Sequence, residues 1–242
     1  MYNKKFVSVV FATYKEKKSI KSAIESFFNT GFVDEIIVVN NNAEKGTEKE
    51  VNDTKAKMIY EKRQGYGYAF QTGIENAKGD YIILCEPDGS YTGNDLERLL
   101  VYAKGGFEVV FGSRTNQSSP LSGADITFWR KWANVIEAKS IEVLFNTNSL
   151  TDIGCTYKLF KKDALRKISK QWKTRSSLFA TELILLTVTN NLKFVELPIT
   201  FSKRKGESSF TSKWYLLVKW GLHIQAYILI YWLQWVLQKI TK

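Results

Sequence analysis

Short apolar runs rich in β-branched residues alternate with segments of helical periodicity through the first 112 residues. The apolar runs predict strands at Phe6–Ala12, Glu35–Asn40, Lys57–Tyr60, Tyr81–Cys85 and Phe107–Gly112. The segments between them predict helices near residues 17–29, 46–54, 66–78 and 93–103. Strands that alternate with helices form a mostly parallel, Rossmann-like sheet with helices on both faces, so the chain is predicted to be an α/β protein.

The regular alternation ends after residue 112. The pattern then predicts a long Trp-bearing helix over about 124–146, a strand at Thr156–Phe160, a helix near 178–190 and a strand at Lys193–Leu197. No Pro/Gly/Ser-rich linker separates these elements from the first half. We therefore expect one domain over residues 1–211, followed by a C-terminal helical segment over residues 212–242.

The C-terminal segment is aromatic and has no charged residue between Lys219 and Lys239. Its length approaches the ~20 residues of a membrane-spanning helix, but His and Gln residues lower its hydrophobicity. Dense Trp and Tyr suit the membrane surface, which predicts a peripheral or monotopic helix. A core helix or a contact in a homo-oligomer is the alternative. Because the first apolar run is too short for a signal peptide, we expect the protein on the cytoplasmic face of the membrane.

The formal net charge is +11, and the excess of Lys and Arg lies beyond residue 100. The aromatic residues of this half lie mainly in the uncharged terminal segment, so membrane phosphate explains the charge better than nucleic acid, and no nucleic acid partner is expected. Cys85 and Cys155 have no second Cys or His at metal spacing, which argues against zinc. His223 is the single histidine, so a Ser or Cys nucleophile has no credible base.

Candidate chemistry follows the predicted strands, where the carboxyl ends of a parallel sheet bind ligands. Glu86-Pro87-Asp88 follows the fourth strand, and its two carboxylates suit Mg²⁺ or Mn²⁺, although an acidic turn is the alternative. Arg63-Gln64-Gly65-Tyr66-Gly67 follows the third strand and could contact an anion. Asn40-Asn41-Asn42 could bind a base or sugar edge, or form a turn. Lys203–Ser209 has the residue types of a phosphate-binding loop.

These motifs, in this order, resemble those of the inverting glycosyltransferases of family 2. The resemblance is greatest to the dolichol-phosphate mannose synthase-like branch, which glycosylates polyprenyl phosphates. It runs from the segment Val9–Glu16 through Glu86-Pro87-Asp88 and Phe111-Gly112-Ser113-Arg114 to Asp152–Phe160 and Arg204–Ser208. It implies a GT-A fold, a nucleotide-sugar donor and a divalent metal.

The resemblance also implies roles for individual residues. The expected nucleotide pocket and base contacts are Ala12, Thr13, Tyr14, Glu16 and Asn40. The implied metal ligands are Glu86, Asp88 and Ser90, of which Asp88 is also expected to be catalytic. The basic residues expected to hold the diphosphate or the acceptor phosphate are Arg114 and Arg204, both assigned as catalytic, together with Lys131. Arg63, Gly65 and Ser208 complete the predicted substrate-binding set.

The sequence therefore predicts an inverting enzyme that moves a hexosyl group from a nucleotide diphosphate sugar to a dolichyl or undecaprenyl phosphate. The alternative is a hydroxyl acceptor on a glycan, lipid or protein, as in cell-surface polysaccharide synthesis. That reaction benefits from a carboxylate base, for which Glu182 is the candidate, although a charge at a helix start is the simpler interpretation of this residue. A membrane-adhering protein without activity is a third hypothesis.

Overall fold

The structure is a computed structural model, which describes residues 1–115, 128–205 and 214–241. Its strands are β1 (Val7–Thr13), β2 (Glu35–Asn40), β3 (Lys57–Tyr60), β4 (Tyr81–Cys85), β5 (Val109–Ser113), β6 (Lys158–Lys161) and β7 (Phe194–Pro198). Its α-helices are α1 (Lys17–Phe28), α2 (Thr47–Asn52), α3 (Tyr66–Asn76), α4 (Leu96–Lys104), α5 (Phe128–Phe145), α6 (Lys162–Ser169), α7 (Phe179–Thr189) and α8 (Trp214–Ile240). A short 3₁₀ turn, Gly93–Asp95, precedes α4.

The seven strands form one sheet in the order β3-β2-β1-β4-β6-β5-β7. All neighbouring strands are parallel except β6, which is antiparallel to both β4 and β5. The predicted mostly parallel sheet is therefore confirmed. The carboxyl ends of β1, β2, β4 and β5 meet at one edge of the sheet, which is where the candidate residues lie.

Two hydrophobic cores cover the two faces of the sheet. On one face, α1 buries Ile20, Ile24 and Phe27, residues spaced three or four apart so that they share one side of the helix. Helix α4 packs in the same core. The other core contains α3, α5, α6 and α7. Helices on both faces confirm the predicted layering of the fold.

The predicted elements match the structure in the first half and differ in the second. Strand β6 begins two residues after its predicted start because Thr156 and Tyr157 belong to the loop that precedes it. Helix α6 was not predicted, because its eight residues contain only three buried apolar side chains. The first residues of the helix predicted at 124–146 lie outside the described residues.

Helix α8 packs along the domain rather than projecting from it. Ile228 is completely buried, and the Phe145 ring of α5 lies 5.3 Å from that of Trp235. The opposite face of α8 exposes leucine and isoleucine side chains. Tyr215–Ile240 is long and apolar enough to cross a membrane by length and composition alone. The division into a domain over 1–211 and a segment over 212–242 stays a prediction.

Candidate active site

Glu16 fixes the turn that follows β1. One of its carboxylate oxygens accepts hydrogen bonds from the backbone N–H groups of Tyr14 and Lys15, at 2.6 and 2.8 Å, and from the Thr13 hydroxyl at 3.2 Å. Thr13 is buried, Ala12 is partly exposed, and the Tyr14 side chain is open to solvent. The structure thus brings the predicted nucleotide-pocket residues of this turn together, and their contact with a nucleotide stays a prediction.

Asn40 and Asn41 hold the turn after β2. The Asn40 side chain donates to Glu48 at 3.0 Å and accepts from the backbone N–H of Ala43 at 2.8 Å. Asn41 donates to the backbone carbonyls of Glu61 and Arg63. Both side-chain amides therefore form hydrogen bonds with neighbouring parts of the protein. The predicted contact between Asn40 and a nucleotide base stays a prediction.

Arg63, which follows β3, forms an ion pair with the nearby Glu61. Arg63 donates two hydrogen bonds to Glu61, at 2.9 and 2.7 Å, and its guanidinium lies 4.4 Å from the Tyr68 ring. The hydrogen bond from Arg63 is the main reason that the pKa of Glu61 falls to about 2. Gly65 has φ +154°, and a Cβ there would lie 2.5 Å from the carbonyl oxygen of Arg175. This close backbone approach explains the glycine, and substrate contact by Arg63 or Gly65 stays a prediction.

Asp88 and Arg204 meet above the turn that follows β4. Asp88 accepts a hydrogen bond from the backbone N–H of Ser90 at 2.8 Å, and its second oxygen lies 3.5 Å from Nε of Arg204. Arg204 also donates to Glu16 at 2.8 Å. The backbone N–H of Lys205 donates to the Asp88 carbonyl, which fixes this segment against the turn. Three residues that the resemblance selected, far apart in sequence, therefore form one ionic cluster.

Glu86 is the carboxylate of this cluster without a partner. Among residues 1–115, 128–205 and 214–241, no hydrogen bond or ion pair to the carboxylate oxygens of Glu86 is found. Burial, and then the negative charge of Asp88, raise the pKa of Glu86 to about 7. Two adjacent carboxylates, one of them unpaired, fit a hard divalent cation. No group of three or more metal-binding side chains occurs in the described part of the chain, so further ligands would have to come from substrate or water.

Arg114 is held by Asp152 at the end of β5. Its Nε and Nη2 donate to the two carboxylate oxygens at 2.8 and 2.9 Å, and its backbone N–H adds a third hydrogen bond at 2.8 Å. Burial is the largest influence on Arg114 and opposes its charge, but Asp152 and the smaller contributions of Tyr91 and Cys155 together outweigh it and raise the pKa of the guanidinium. The Phe201 ring lies 5.3 Å away. Arg114 is therefore charged and fixed in direction.

A second arginine, Arg130, approaches Arg114 from α5. Burial, and then the positive charge of Arg114, lower the pKa of Arg130. One turn further along α5, Asn134 accepts a hydrogen bond from the backbone N–H of Gly154 at 2.9 Å. The sequence prediction named Lys131, which is partly exposed, and did not assign Arg130 or Asn134 to the site. Their spacing of four residues on a helix was the only local signal of a shared face.

Glu182, the candidate base, is completely buried. Its carboxylate accepts hydrogen bonds from the backbone N–H groups of Lys173 and Thr174, from the Thr174 hydroxyl at 2.7 Å and from the Tyr227 hydroxyl at 3.3 Å. This carboxylate therefore joins α7 to α8 and to the loop before α7. Ser208, the last predicted substrate-binding residue, lies outside the described residues.

The fold and the acidic and basic residues at one sheet edge define a GT-A glycosyltransferase architecture. The chain belongs to Glycosyl transferase family 2, whose sequence pattern matches residues 8–169. This confirms the resemblance inferred from the motifs.

Two relatives and one solved structure illustrate the similarity. The chain is 26% identical to the low-salt glycan biosynthesis hexosyltransferase Agl6 of Haloferax volcanii over 85% of its own length and 50% of that protein, so it spans half of this relative. It is 23% identical to a polyprenol monophosphomannose synthase of Mycolicibacterium smegmatis, with 88% of this chain and 86% of that protein covered. A glucosyl-3-phosphoglycerate synthase from Mycobacterium tuberculosis, solved with Mn²⁺, UDP-glucose and glycerol 3-phosphate, superposes with a TM-score of 0.72 at 14% identity, covering 96% and 80% of the two chains. That likeness confirms the GT-A fold.

Proposed function

We propose that this chain transfers a hexosyl group from a nucleotide diphosphate sugar to a polyprenyl phosphate, with inversion at the anomeric carbon. The observation that carries the proposal is the pair of neighbouring arginines, the nearly buried Arg114 and the partly exposed Arg130, close to Glu86 and Asp88. The similarity to a polyprenol monophosphomannose synthase over most of both chains supports this class of acceptor.

The two arginines form a site for an anion. Partial burial, and then the like charge of Arg114, disfavour the charge of Arg130 and lower its pKa. Asp152 forms its ion pair with Arg114, and no ion pair of Arg130 occurs among the described residues. A phosphate group bound between Arg114 and Arg130 would remove the repulsion and accept charge-assisted hydrogen bonds from both.

For the metal we propose Mg²⁺ or Mn²⁺, held by Glu86 and Asp88, with Ser90 beside them. The unpaired carboxyl of Glu86 supports this assignment, as does the Mn²⁺ bound with UDP-glucose in the M. tuberculosis structure of the same fold. When bound, such an ion neutralises charge that develops on a departing diphosphate. Arg204 contacts both Asp88 and Glu16, and from there its positive charge would stabilise the same leaving group.

A phosphate acceptor needs no general base, because it is ionised at neutral pH. Its oxygen attacks the anomeric carbon while the bond to the diphosphate breaks, so no proton has to be removed. Arg114 and Arg130 would orient the attacking phosphate, and this positioning supplies much of the rate enhancement. The engagement of Glu182 with Thr174 and Tyr227 favours this reaction over transfer to a hydroxyl, for which that carboxylate would have to be free.

The acceptor class implies work at a membrane, and we propose that the enzyme is monotopic on the cytoplasmic face. Two neighbouring helices present apolar side chains to solvent. On α5 these are Phe128, Trp129, Trp132, Ile136 and Val143, and on α8 they include Leu222, Leu229, Ile230, Leu233 and Leu237. The inner face of α8 is bound to the domain through Gln225, which donates to Ser140, and through Tyr227. A helix tied to the domain in this way is suited to lying in the membrane interface.

The experiment is a transfer assay with the purified full chain, a panel of nucleotide sugars, and Mg²⁺ or Mn²⁺. We expect release of nucleoside diphosphate that depends on added polyprenyl phosphate and on the metal. Arg130→Gln should raise the KM for polyprenyl phosphate at least roughly tenfold, because a charge-assisted hydrogen bond is lost. Lys139→Gln is the matched control on the exposed side of the same helix. Release that responds to hydroxyl acceptors but not to polyprenyl phosphate would contradict the proposal.

A further inference from the structure

We infer that Asp152 and Glu196 are positioning residues of this enzyme, which together fix the direction in which Arg114 presents its free N–H groups to a bound phosphate. The inference rests on the proposed function for the identity of the reaction. The inference assigns a role to two further residues, neither of which has to contact a substrate.

The geometry of Arg114 leaves one edge of its guanidinium free. A guanidinium has five N–H donors. Asp152 takes one from Nε and one from Nη2, and within the described residues the other donors have no acceptor. The Arg114 side chain is 7% exposed, and none of its nitrogen atoms is both sealed from solvent and unpaired. The free edge therefore keeps some contact with solvent, and its orientation is set by the bidentate pair on the other edge.

Arg114 is the side chain to which Asp152 is hydrogen-bonded. One of its oxygens accepts from Nε and the backbone N–H of Arg114, and the other accepts from Nη2 and, at 3.1 Å, from the backbone N–H of Gly154. The Asp152 side chain has no exposed surface. It cannot reach a substrate without leaving Arg114, so we describe it as a positioning residue.

Glu196, on β7, holds the loop that carries Asp152. Its carboxylate accepts from the backbone N–H of Thr151 at 2.9 Å, from that of Asp152 at 3.3 Å, and from the Thr151 hydroxyl. The same hydroxyl contacts Ser113, the last residue of β5, at 2.8 Å. Hydrogen bonds thus connect Glu196 in β7, through the loop that carries Thr151 and Asp152, to the Arg114 guanidinium directly after β5.

The test is a double-mutant cycle with inorganic pyrophosphate as the probe, measured by calorimetry without nucleotide sugar. Asp152→Asn should weaken pyrophosphate binding at least tenfold in the wild-type background and less than twofold in the Arg114→Ala background, which has no charged side chain at this position. A residue that acts through Arg114 has nothing left to act on in the second case. Glu196→Gln should show the same pattern with a smaller loss, near threefold.

Controls separate positioning from general destabilisation. Thermal unfolding is recorded for each variant, and Glu196→Gln decides the question if Asp152→Asn does not fold. The matched control is Glu108→Gln, which removes the charge of another partly buried carboxylate, paired with Lys167, at the opposite end of β5. It should leave pyrophosphate affinity within twofold of wild type.

The outcomes distinguish this inference from the proposed function. Equal losses in both backgrounds, wild-type affinity in both single variants, or no pyrophosphate binding by the wild-type protein would each overturn the positioning role. A cycle that behaves as expected in a protein that transfers no sugar to polyprenyl phosphate would leave the positioning role intact. The failure would then belong to the assigned reaction.

Discussion

Glu137 provides a prediction that requires no knowledge of substrate. It lies on the inner face of α5, where it is only 5% exposed and faces Gly221 of α8. Across the three described ranges of the chain, no hydrogen bond or ion pair to its carboxyl is found. Burial, and then the charge of Asp152, raise the pKa of Glu137 to about 8. Near neutral pH this carboxyl is therefore mainly protonated in the folded protein.

The raised pKa determines how stability changes with pH. In the unfolded chain Glu137 loses its proton near pH 4.5, whereas in the folded protein it keeps the proton up to about pH 8. Between these values the folded state binds more protons than the unfolded state, so the free energy of unfolding falls as pH rises. The slope is about 1.4 kcal/mol per pH unit, which sets an upper limit of about 5 kcal/mol over the whole window.

Glu137→Gln removes this titration and leaves a side chain of similar size. We expect the free energy of unfolding of Glu137→Gln, relative to wild type, to grow steadily from pH 5 to 8 and to level off above pH 8. The assay is urea unfolding of both proteins at half-unit pH steps, followed by circular dichroism. Glu142→Gln is the control on the same helix, because hydrogen bonding to Lys139 lowers the pKa of Glu142 and confines its effect to acid pH.

A constant difference between Glu137→Gln and wild type from pH 5 to 8.5 would refute the reasoning. So would a rising difference of equal size in Glu142→Gln, because the effect would then not be specific to the buried carboxyl.

Three further predictions concern the proposed reaction. Asp88→Asn should reduce transfer at least roughly 100-fold without lowering Tm, because the proposed metal ion loses a carboxylate ligand and the departing diphosphate loses the cation that stabilises it; full turnover in excess chelator would contradict the metal assignment. Arg204→Ala should cost more activity than Glu182→Gln, which should mainly lower Tm because Glu182 holds the loop before α7; rate measurements showing the reverse order would favour a hydroxyl acceptor. Replacing Trp129 and Trp132, which are 73% and 47% exposed, by Ser should release the protein from anionic vesicles in flotation assays; unchanged flotation, or a change of oligomeric state instead, would point to a contact between copies.

The sequence predicted the first half of the fold closely because each of its elements has a strong local pattern. Strands β2, β3 and β4 begin and end at the predicted residues. Strand β6 was predicted two residues early, and its direction and its place between β4 and β5 could not be predicted at all. Direction and neighbour depend on contacts between distant parts of the chain, which periodicity does not contain.

The sequence likewise predicted only part of the candidate site. Glu16, Asp88 and Arg204 come together as the order of the motifs implied, and that grouping came from the resemblance rather than from spacing. Arg130 and Asp152 were not assigned roles, because nothing near them in sequence indicates that both lie beside Arg114 in the folded protein.

Some local patterns had a structural explanation that the sequence could not separate from a functional one. Gly65 was read as a residue that lets the backbone approach an anion, and the structure shows that the backbone of Arg175 makes the close approach. The Asn40 amide, a candidate for reading a base, is hydrogen-bonded to Glu48. In both cases the same residue type can serve either role, and substrate contact by Gly65 or Asn40 stays a prediction.

The antiparallel strand β6 has a consequence for how the chain folds during synthesis. Strand β6 lies between β4 and β5 in the sheet. The edges of β4 and β5 that pair with β6 therefore stay unpaired until residue 161 has left the ribosome. Pairings between distant segments are slow, and an unpaired strand edge promotes aggregation in the meantime. The nascent first half, although it contains five of the seven strands, therefore carries an open seam in the middle of its sheet. Closing that seam is the step at which delayed or interrupted translation would most readily divert this protein to aggregates.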